Sequence, residues 1–96
     1  MPVELIFSAK ASRDIETIIK WYDDKSISAG DWFLTEVNTF ISKIVKNPER
    51  FTIATTDVRR CLLKKFPYKI FFSFENNTVI ILRIRHNKQK PLKRYT

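Results

Sequence analysis

The spacing of apolar residues changes once along the chain, from a helical period to a strand period, and this change sets the order of the elements. Between residues 9 and 46, apolar side chains recur every three or four positions, which is typical of amphipathic helices. From residue 58 to residue 86, apolar and polar residues alternate, which is typical of strands with one buried face. Helices followed by strands predict an α+β domain, with the helices on one face of an antiparallel sheet.

A short strand and two helices are predicted in the first half of the chain. The strand covers residues 3–7, and Ser8 then supplies the N-cap of a helix over residues 9–24. A second helix runs from about residue 29 to residue 46, where Asn47-Pro48 ends it. Because the connection is short, the helices should form an antiparallel hairpin. Their apolar stripes are Ala11, Ile15, Ile18, Ile19 and Tyr22 in the first helix and Phe33, Val37, Phe40, Ile41 and Ile44 in the second.

Three strands are predicted after the helices, over residues 58–66, 68–75 and 78–86. Residues 51–56 lack a clear period and are predicted to be a loop. The expected order is therefore β-α-α-β-β-β, with the helix hairpin packed on one face of a small, mainly antiparallel sheet.

The last hairpin is predicted to close through a three-residue loop, residues 75–77, with Asn77 left-handed. This register places Ile80, Leu82 and Ile84 on the apolar face, beside Tyr68, Ile70, Phe72 and Phe74 of the preceding strand. Arg83 and Arg85 then lie on the opposite, open face. His86, at the end of the strand, is an even number of residues from Ile84 and is therefore expected on the same face as the core residues.

The composition excludes several kinds of site. One Cys and one His rule out a disulfide framework and a zinc site made by this chain alone, and the single Gly rules out a glycine-rich phosphate loop. The longest apolar run, residues 79–82, is far shorter than a membrane span, and residues 1–8 lack the pattern of a signal peptide. We therefore expect one cytoplasmic domain over residues 1–96, with no cofactor, no metal and no membrane partner.

The positive charge is concentrated in the second half of the chain. The formal net charge is +8, and residues 57–96 hold eleven Lys or Arg but only two acidic residues, Asp57 and Glu75. Residues 1–56 hold seven basic and eight acidic residues and are nearly neutral. A basic surface of this kind attracts polyanions or acidic proteins. Residues 87–96 are predicted to form a basic C-terminal tail.

Eight cations of this half are the candidate binding residues: Arg59, Arg60, Lys64, Lys65, Lys69, Arg83, Arg85 and Lys88. Two arginines on one open strand face, Arg83 and Arg85, suit bidentate binding of phosphates or carboxylates. Neighbouring residues of a strand face opposite sides. Only one of Arg59 and Arg60 is therefore expected on that surface. The same holds for Lys64 and Lys65.

Two further features concern the core. Phe33 and at least one of Trp21 and Trp32 are predicted to be buried, although the same aromatic residues could form a docking patch on the helices. Cys61 is interpreted as a small buried hydrophobic residue rather than a nucleophile.

Four segments of the chain resemble the RelE/ParE toxin superfamily, and together they cover nearly its whole length. They are Asp14-Ile15-x-x-Ile18-x-x-Trp21-Tyr22, Asn47-Pro48-Glu49-Arg50-Phe51, the run from Arg59-Arg60 to Phe66-Pro67-Tyr68-Lys69-Ile70-Phe71-Phe72, and Ile80-Ile81-Leu82-Arg83-Ile84-Arg85-His86. The resemblance implies the toxin of a type II toxin–antitoxin system. It also implies a hetero-oligomer with a cognate antitoxin whose toxin-binding segment is acidic.

The superfamily has two branches with different targets. The resemblance implies either a ParE-like, plasmid-stabilising toxin that inhibits growth through DNA gyrase or a RelE-like endoribonuclease that cuts mRNA on the ribosome. A third alternative is an inactive homologue that serves only as an antitoxin-binding module. Cleavage of RNA needs a base, an acid and cations. The candidates for such a catalytic set are His86, Arg83, Arg85 and Tyr95.

The end of the chain favours the ParE-like branch. RelE-like toxins have an Arg at the end of the last strand and a Tyr a few residues later. Here Tyr95 follows Arg85 by ten residues and lies behind Pro91. The ending His86-x-x-x-x-Pro91 looks more like that of ParE-like toxins. Whether the chain is an enzyme stays open at this point.

Overall fold

The computed structural model describes residues 2–95 and contains two α-helices and five strands. In chain order the elements are β1 (Glu4–Phe7), α1 (Ala9–Asp23), α2 (Ala29–Lys46), a short 3-10 helix (Pro48–Arg50), β2 (Thr52–Thr55), β3 (Val58–Leu62), β4 (Tyr68–Glu75) and β5 (Thr78–His86). The α+β class and the helix hairpin are confirmed. Met1 and Thr96, the two ends of the predicted domain, lie outside the described residues.

The five strands form one mixed sheet in the order β1-β5-β4-β3-β2. β1 pairs parallel with β5, whereas the other neighbours are antiparallel. β2 is an additional strand in the segment predicted to be a loop, so that prediction is wrong. All four of its side chains are exposed at the sheet edge, which explains why the segment has no apolar alternation.

The helix hairpin covers one face of this sheet and buries the main core there. Both predicted stripes are confirmed as the faces that pack on the core, although Ile15, Ile19 and Tyr22 of α1 and Phe40 of α2 are only partly buried. The core consists of Ala11 and Ile18 of α1, Phe33, Val37, Ile41 and Ile44 of α2, and Cys61, Leu63, Ile70, Phe72, Val79, Ile81 and Ile84 of the sheet and its connections. Each large side chain buried in this way contributes roughly 1.5–3 kcal/mol to folding.

Close contact between the helices depends on Gly30, near the start of α2. Its N–H donates a hydrogen bond to Asp23 Oδ1 at 2.9 Å, across the turn that joins the helices. A Cβ atom at this position would collide with the side chains of Asp23 and Ile19. Glycine is therefore the residue that lets the second helix begin against the first.

No helix within residues 2–95 has the length and apolar character needed to cross a bilayer.

The β4–β5 hairpin closes through a two-residue turn, Asn76-Asn77, with φ angles of 49° and 59°. Glu75 pairs directly with Thr78, so the predicted three-residue loop is wrong. Two successive left-handed residues are typical of the tight turn whose twist matches that of a hairpin, and asparagine tolerates this conformation.

A β-bulge in β5 reconciles this turn with a buried apolar face. Phe72 pairs with Ile81, but Phe71 pairs with Arg83, so Leu82 is an extra residue in its strand. The predicted assignment of the apolar face is therefore wrong for Ile80 and Leu82, and Val79 and Ile81 occupy the core instead.

A second, smaller apolar cluster lies on the face of the sheet that the helices leave uncovered, which we call the outer face. Val58, Phe71 and Leu82 of the sheet pack there against Tyr95, with Ile80 and Leu92 partly buried beside them. Residues 87–95 thus fold back across the outer face, and the predicted basic tail is anchored to the sheet by two apolar side chains.

Candidate functional site

Three cations lie together on the outer face and form what we call the outer cationic cluster. Lys69 of β4 and Arg85 of β5 are register partners, and Arg60 of β3 pairs with Phe71 beside them. Within residues 2–95, none of the three takes part in a salt bridge. The fold therefore leaves their positive charge available to an anionic partner, as expected for Lys69 and Arg85 and for one member of the Arg59–Arg60 pair.

A cavity of about 130 Å³ opens between these cations and the C-terminal tail. His86 and Tyr95 also line it. Arg85 Nη2 donates a hydrogen bond to the carbonyl oxygen of Lys90 at 2.8 Å, which holds the tail against the cluster. The cavity therefore combines cations suited to a phosphate with two side chains able to exchange protons.

Arg83 pairs with the outer-face residue Phe71, but its guanidinium is bound to an internal carboxylate and does not join this cluster, contrary to the prediction of an open cation beside Arg85. Its Nε and Nη2 atoms donate hydrogen bonds to Asp14 of α1, at 2.7 Å to Oδ2 and 3.1 Å to Oδ1. Asp14 Oδ2 also accepts the backbone N–H of Ile84 at 3.0 Å. Hydrogen bonding to Asp14 raises the pKa of the Arg83 guanidinium.

Arg83 and Arg85 both follow the bulge and pair with outer-face residues, Phe71 and Lys69, so the bulge does not separate them. They differ in their side-chain partners, because Arg83 binds Asp14 of α1 whereas Arg85 bonds to the tail. A buried or half-buried guanidinium requires a carboxylate partner. Asp14 has the helical spacing of Ile18 and Trp21, and an acidic residue on this otherwise apolar stripe was the available signal for such a partner.

Arg59 also has a structural position. Its Nη1 atom donates hydrogen bonds to the carbonyl oxygens of Glu49 and Phe51, at 3.2 and 2.8 Å. It therefore ties β3 to the segment that follows α2. This leaves Arg60 as the arginine of the pair that reaches the outer cationic cluster.

His86 lies where β5 ends and is held by its neighbours. Its ring packs edge-on against Tyr68 with centroids 5.1 Å apart, in agreement with the predicted parity. The Nδ1 atom accepts the N–H of Lys88 at 3.0 Å, and the His86 N–H donates to Gln89 Oε1 at 2.7 Å. The ring therefore presents Nε2 as its free nitrogen. In the described part of the chain, no group of three or more His, Cys, Asp and Glu side chains could hold a metal ion.

Tyr95 is buried rather than frayed at the chain end. Its ring lies on that of Phe71, with centroids 4.5 Å apart, and only 7% of the residue is exposed. Lys88, the remaining candidate from the tail, is exposed on the turn that follows β5. Sequence reasoning missed the anchoring of the tail because Leu92 and Tyr95 are separated by polar residues and show no periodic pattern.

Two apolar grooves accompany the helix hairpin. The α1 groove, of about 590 Å³, lies between α1 and the end of β5 and is lined by Asp14, Trp21, Tyr22, Tyr68, Ile84 and His86 among others. The α2 groove, of about 630 Å³, lies between α2 and the β3–β4 connection and is lined by Trp32, Glu36, Phe40, Lys43, Lys64, Lys65 and Phe66 among others. Lys64 and Lys65 therefore lie together, apart from the outer cationic cluster.

Each groove exposes one tryptophan. Trp21 is 53% exposed and Trp32 is 64% exposed, whereas Phe33 is fully buried. The prediction is confirmed for Phe33 and is wrong for the tryptophans, since neither belongs to the core. Cys61 is 3% exposed, as predicted, and burial raises the pKa of its thiol to about 11.

The chain matches one protein-family model over most of its length. Residues 5–91 match the model of the ParE toxin of the type II toxin–antitoxin system parDE. Among curated protein sequences, none matches the chain significantly.

Solved structures that share the fold come from ParDE and RelBE toxin–antitoxin systems. The chromosomal ParDE system from Pseudomonas aeruginosa gives a TM-score of 0.75 at 18% identity, with 88% of this chain and 95% of that chain covered. The toxin–antitoxin complex RelBE2 from Mycobacterium tuberculosis gives 0.61 at 19% identity, with 90% and 99% covered. A double-arginine mutant of the Escherichia coli toxin RelE in the free state gives 0.57 at 11% identity, with 92% and 86% covered.

Proposed function

Because the chain belongs to the family of ParE toxins of type II toxin–antitoxin systems, we propose that it inhibits growth in the cytoplasm through DNA gyrase and that a cognate antitoxin neutralises it. The match of residues 5–91 to the ParE model is the observation that carries this proposal. The fold adds support, since the TM-score is 0.75 against the ParDE structure and 0.57 against RelE.

The outer cationic cluster is assigned to contact with the target. Arg60, Lys69 and Arg85 have no salt bridge within the described residues, so an anionic partner does not have to displace an internal carboxylate. Arginine binds phosphates and carboxylates through two parallel hydrogen bonds, which favours Arg60 and Arg85 as its anchors. Arg83 is assigned a structural role because Asp14 already occupies its guanidinium.

One observation favours cleavage of mRNA as the second candidate function. His86 and Tyr95 line the same cavity as the three cations, so groups for acid–base chemistry adjoin a phosphate-binding set. Against this, Tyr95 is packed on Phe71 and nearly buried, and His86 Nδ1 already accepts a hydrogen bond. We therefore rank gyrase above the ribosome as the target.

The experiment compares the two targets after induction of the toxin in a bacterial host. Growth arrest with an induced DNA-damage response and intact transcripts supports gyrase, and inhibition of supercoiling by purified gyrase would establish it. Transcripts cut at codon-phased positions would instead assign the toxin to the nuclease branch. Normal growth at a high level of folded protein would identify an inactive homologue that only binds antitoxin. Co-expression of the adjacent reading frame, which is expected to relieve the arrest, is the control.

A further inference from the structure

The C-terminal tail reverses direction directly after β5, and hydrogen bonds fix this reversal. The N–H of Asn87 donates to the carbonyl oxygen of Pro67 at 2.8 Å, which ties the start of the tail to the β3–β4 connection. The N–H of His86 donates to Gln89 Oε1 at 2.7 Å, and the N–H of Gln89 donates back to the carbonyl oxygen of His86 at 3.0 Å. The chain is therefore directed across the outer face rather than away from it.

The far end of the tail is held by apolar contacts. The ring of Tyr95 lies on that of Phe71, with centroids 4.5 Å apart, and Leu92 is partly buried in the same cluster. Between the two anchored ends, Lys90 lies opposite the outer cationic cluster, since both line the same cavity. Residues 87–95 thus form a strap that crosses the outer face and is fastened at both ends.

The strap covers part of the cationic cluster that is assigned to the target. Arg60 is exposed, whereas Lys69 and Arg85 are half-buried. Arg85 Nη2 already donates to the carbonyl oxygen of Lys90 at 2.8 Å, in the place where an oxygen of a phosphate or a carboxylate would accept its hydrogen bond. A segment of the toxin itself therefore occupies one of the two arginines of the cluster.

The space that remains beneath the strap is small. The cavity between the three cations and the strap measures about 130 Å³, compared with about 590 Å³ for the α1 groove. Sites that enclose a drug-sized ligand measure roughly 300–1,000 Å³. A macromolecular target cannot reach Lys69 and Arg85 through this space, so contact with both requires the strap to move.

Charge opposes the closed position of the strap. It contains no acidic residue and four exposed cations, which are Lys88, Lys90, Lys93 and Arg94. Within residues 2–95, none of the four takes part in a salt bridge, so their charges add to those of the three cations beneath. Like charges at this separation repel, although salt screens the repulsion. Apolar contacts and hydrogen bonds therefore hold the strap against electrostatic repulsion, which lowers the free energy needed to release it.

From these contacts we propose that residues 87–95 are an autoinhibitory strap, and that the target contacts Lys69 and Arg85 only after the strap has been released. This role rests on the proposed function, because it concerns the surface assigned to the target, and it adds the regulation of that surface. The apparent affinity for the target is lower than the intrinsic affinity by the fraction of molecules in which the strap is open. A change that raises this fraction should therefore raise toxicity.

The reactivity of single arginines towards phenylglyoxal, measured by peptide mass spectrometry on the folded protein, reports release of the strap. Reaction of a covered group follows the fraction of molecules in which it is open. Tyr95→Ala removes the ring from Phe71 and is expected to raise the rate at Arg85 about tenfold. Tyr95→Phe keeps the ring and is the matched control, with the rate of the parent. Arg83, bound to Asp14, should react at one rate in all three proteins, which excludes global unfolding as the cause.

The same three proteins are then compared for growth arrest at equal levels of folded protein. Tyr95→Ala is expected to halt growth at a level about threefold to tenfold lower than the parent, because more molecules have an open outer face. Tyr95→Phe should halt growth at the level of the parent.

A change in the opposite direction tests the role of charge. Lys93→Gln with Arg94→Gln removes two of the repelling cations and should tighten the strap. We expect the rate at Arg85 to fall about threefold and the level needed for growth arrest to rise by a similar factor. Lys20→Gln with Lys25→Gln removes two exposed cations of the helix hairpin and should alter neither quantity.

Every other result counts against the strap or against the function on which it rests. An unchanged rate at Arg85 in Tyr95→Ala would show that the tail does not cover the cluster. Faster reaction of Arg85 without stronger growth arrest would overturn the inhibitory role. An unchanged rate at Arg85 in K93Q/R94Q would contradict the repulsion, and weaker arrest at that unchanged rate would place the tail cations in contact with the target and overturn the inhibitory role. Absence of arrest by the parent itself would contradict the proposed function, and the inhibitory role would fall with it.

Discussion

Arg83 and Asp14 form a bidentate ion pair that joins the bulged strand β5 to helix α1. The same carboxylate accepts the backbone N–H of Ile84, so one side chain satisfies both a guanidinium and the free edge of the strand. The two side chains are only 19% and 17% exposed. β1 covers only the first part of the β5 edge, and Asp14 occupies the edge beyond it at Ile84. This internal partner discourages pairing of the exposed strand with another chain.

Substitution of Asp14 by Asn should destabilise the fold by about 2 kcal/mol, because it leaves the Arg83 guanidinium half-buried without its counter-charge. For a domain of this size, the loss corresponds to a decrease in Tm of roughly 10 °C. Thermal unfolding followed by circular dichroism measures it.

The matched variants for this pair are Arg83→Met and the double variant Asp14→Asn with Arg83→Met. Since removal of both partners leaves no unpaired charge, the double variant should lose less stability than the two single losses added together. Strict additivity would contradict a direct interaction between the two side chains.

The neighbouring residues Arg59 and Arg60 should respond differently to the same change. Arg59→Gln removes two hydrogen bonds to backbone carbonyls and is expected to cost about 1 kcal/mol of unfolding free energy. Arg60→Gln changes an exposed cation of the outer face and should stay within about 0.5 kcal/mol of the parent. Urea denaturation of both variants makes the comparison, and equal losses would mean that the division of the pair between the two faces is incorrect.

Tyr95 should determine whether the tail stays on the outer face. Tyr95→Ala removes a buried ring from Phe71 and should lower the unfolding free energy by about 2 kcal/mol. It should also accelerate tryptic cleavage within residues 88–94, because detachment of the tail exposes their Lys and Arg bonds. Asn87→Ala, at an exposed position of the same tail, keeps every Lys and Arg bond and is the control. Unchanged cleavage in Tyr95→Ala would show that the ring does not hold the tail.

Cys61 should be unreactive in the folded protein. Burial raises the pKa of its thiol from 9.0 to about 11, so the reactive thiolate is scarce near pH 8. Alkylation by iodoacetamide is expected to follow the rate of unfolding and to become fast in denaturant. Alkylation at the rate of a free thiol under native conditions would contradict its burial.

The same pKa shift has a consequence for stability at high pH. The unfolded chain releases the thiol proton at a lower pH than the folded chain does, so unfolding becomes more favourable as the pH rises from about 9 to about 11. The contribution of the neutral thiol is fully present below this window. Cys61→Ala should therefore lose less stability across the window than the parent does.

The helices and their buried faces could be predicted because each apolar stripe has a regular period that survives packing. Phe33, Val37, Ile41 and Ile44 lie in the core at the positions that the period indicates. The buried face of β4 followed in the same way, since Ile70 and Phe72 alternate with polar or outward-facing residues.

The faces of β5 could not be predicted, because alternation assumes an unbroken register. The segment Val79–Leu82 is apolar at every position, so it fits either face, and the bulge at Leu82 decides between them. The interaction that accompanies the bulge, Asp14 with Arg83, joins residues distant in sequence. The periodic pattern of one strand contains no information about it.

Growth inhibition by a toxin that lacks the outer cationic cluster tests most directly whether the outer face contacts the target. The variant R60Q/K69Q/R85Q is expected to fold, because none of the three cations belongs to the core or to a salt bridge of the described residues. It is expected to bind the adjacent-frame antitoxin and to lose growth arrest, because we propose that these cations contact the target. Colony counts after induction, at equal levels of folded protein, measure this effect against the parent toxin. Full toxicity of the triple variant would contradict the assignment of the outer face to the target.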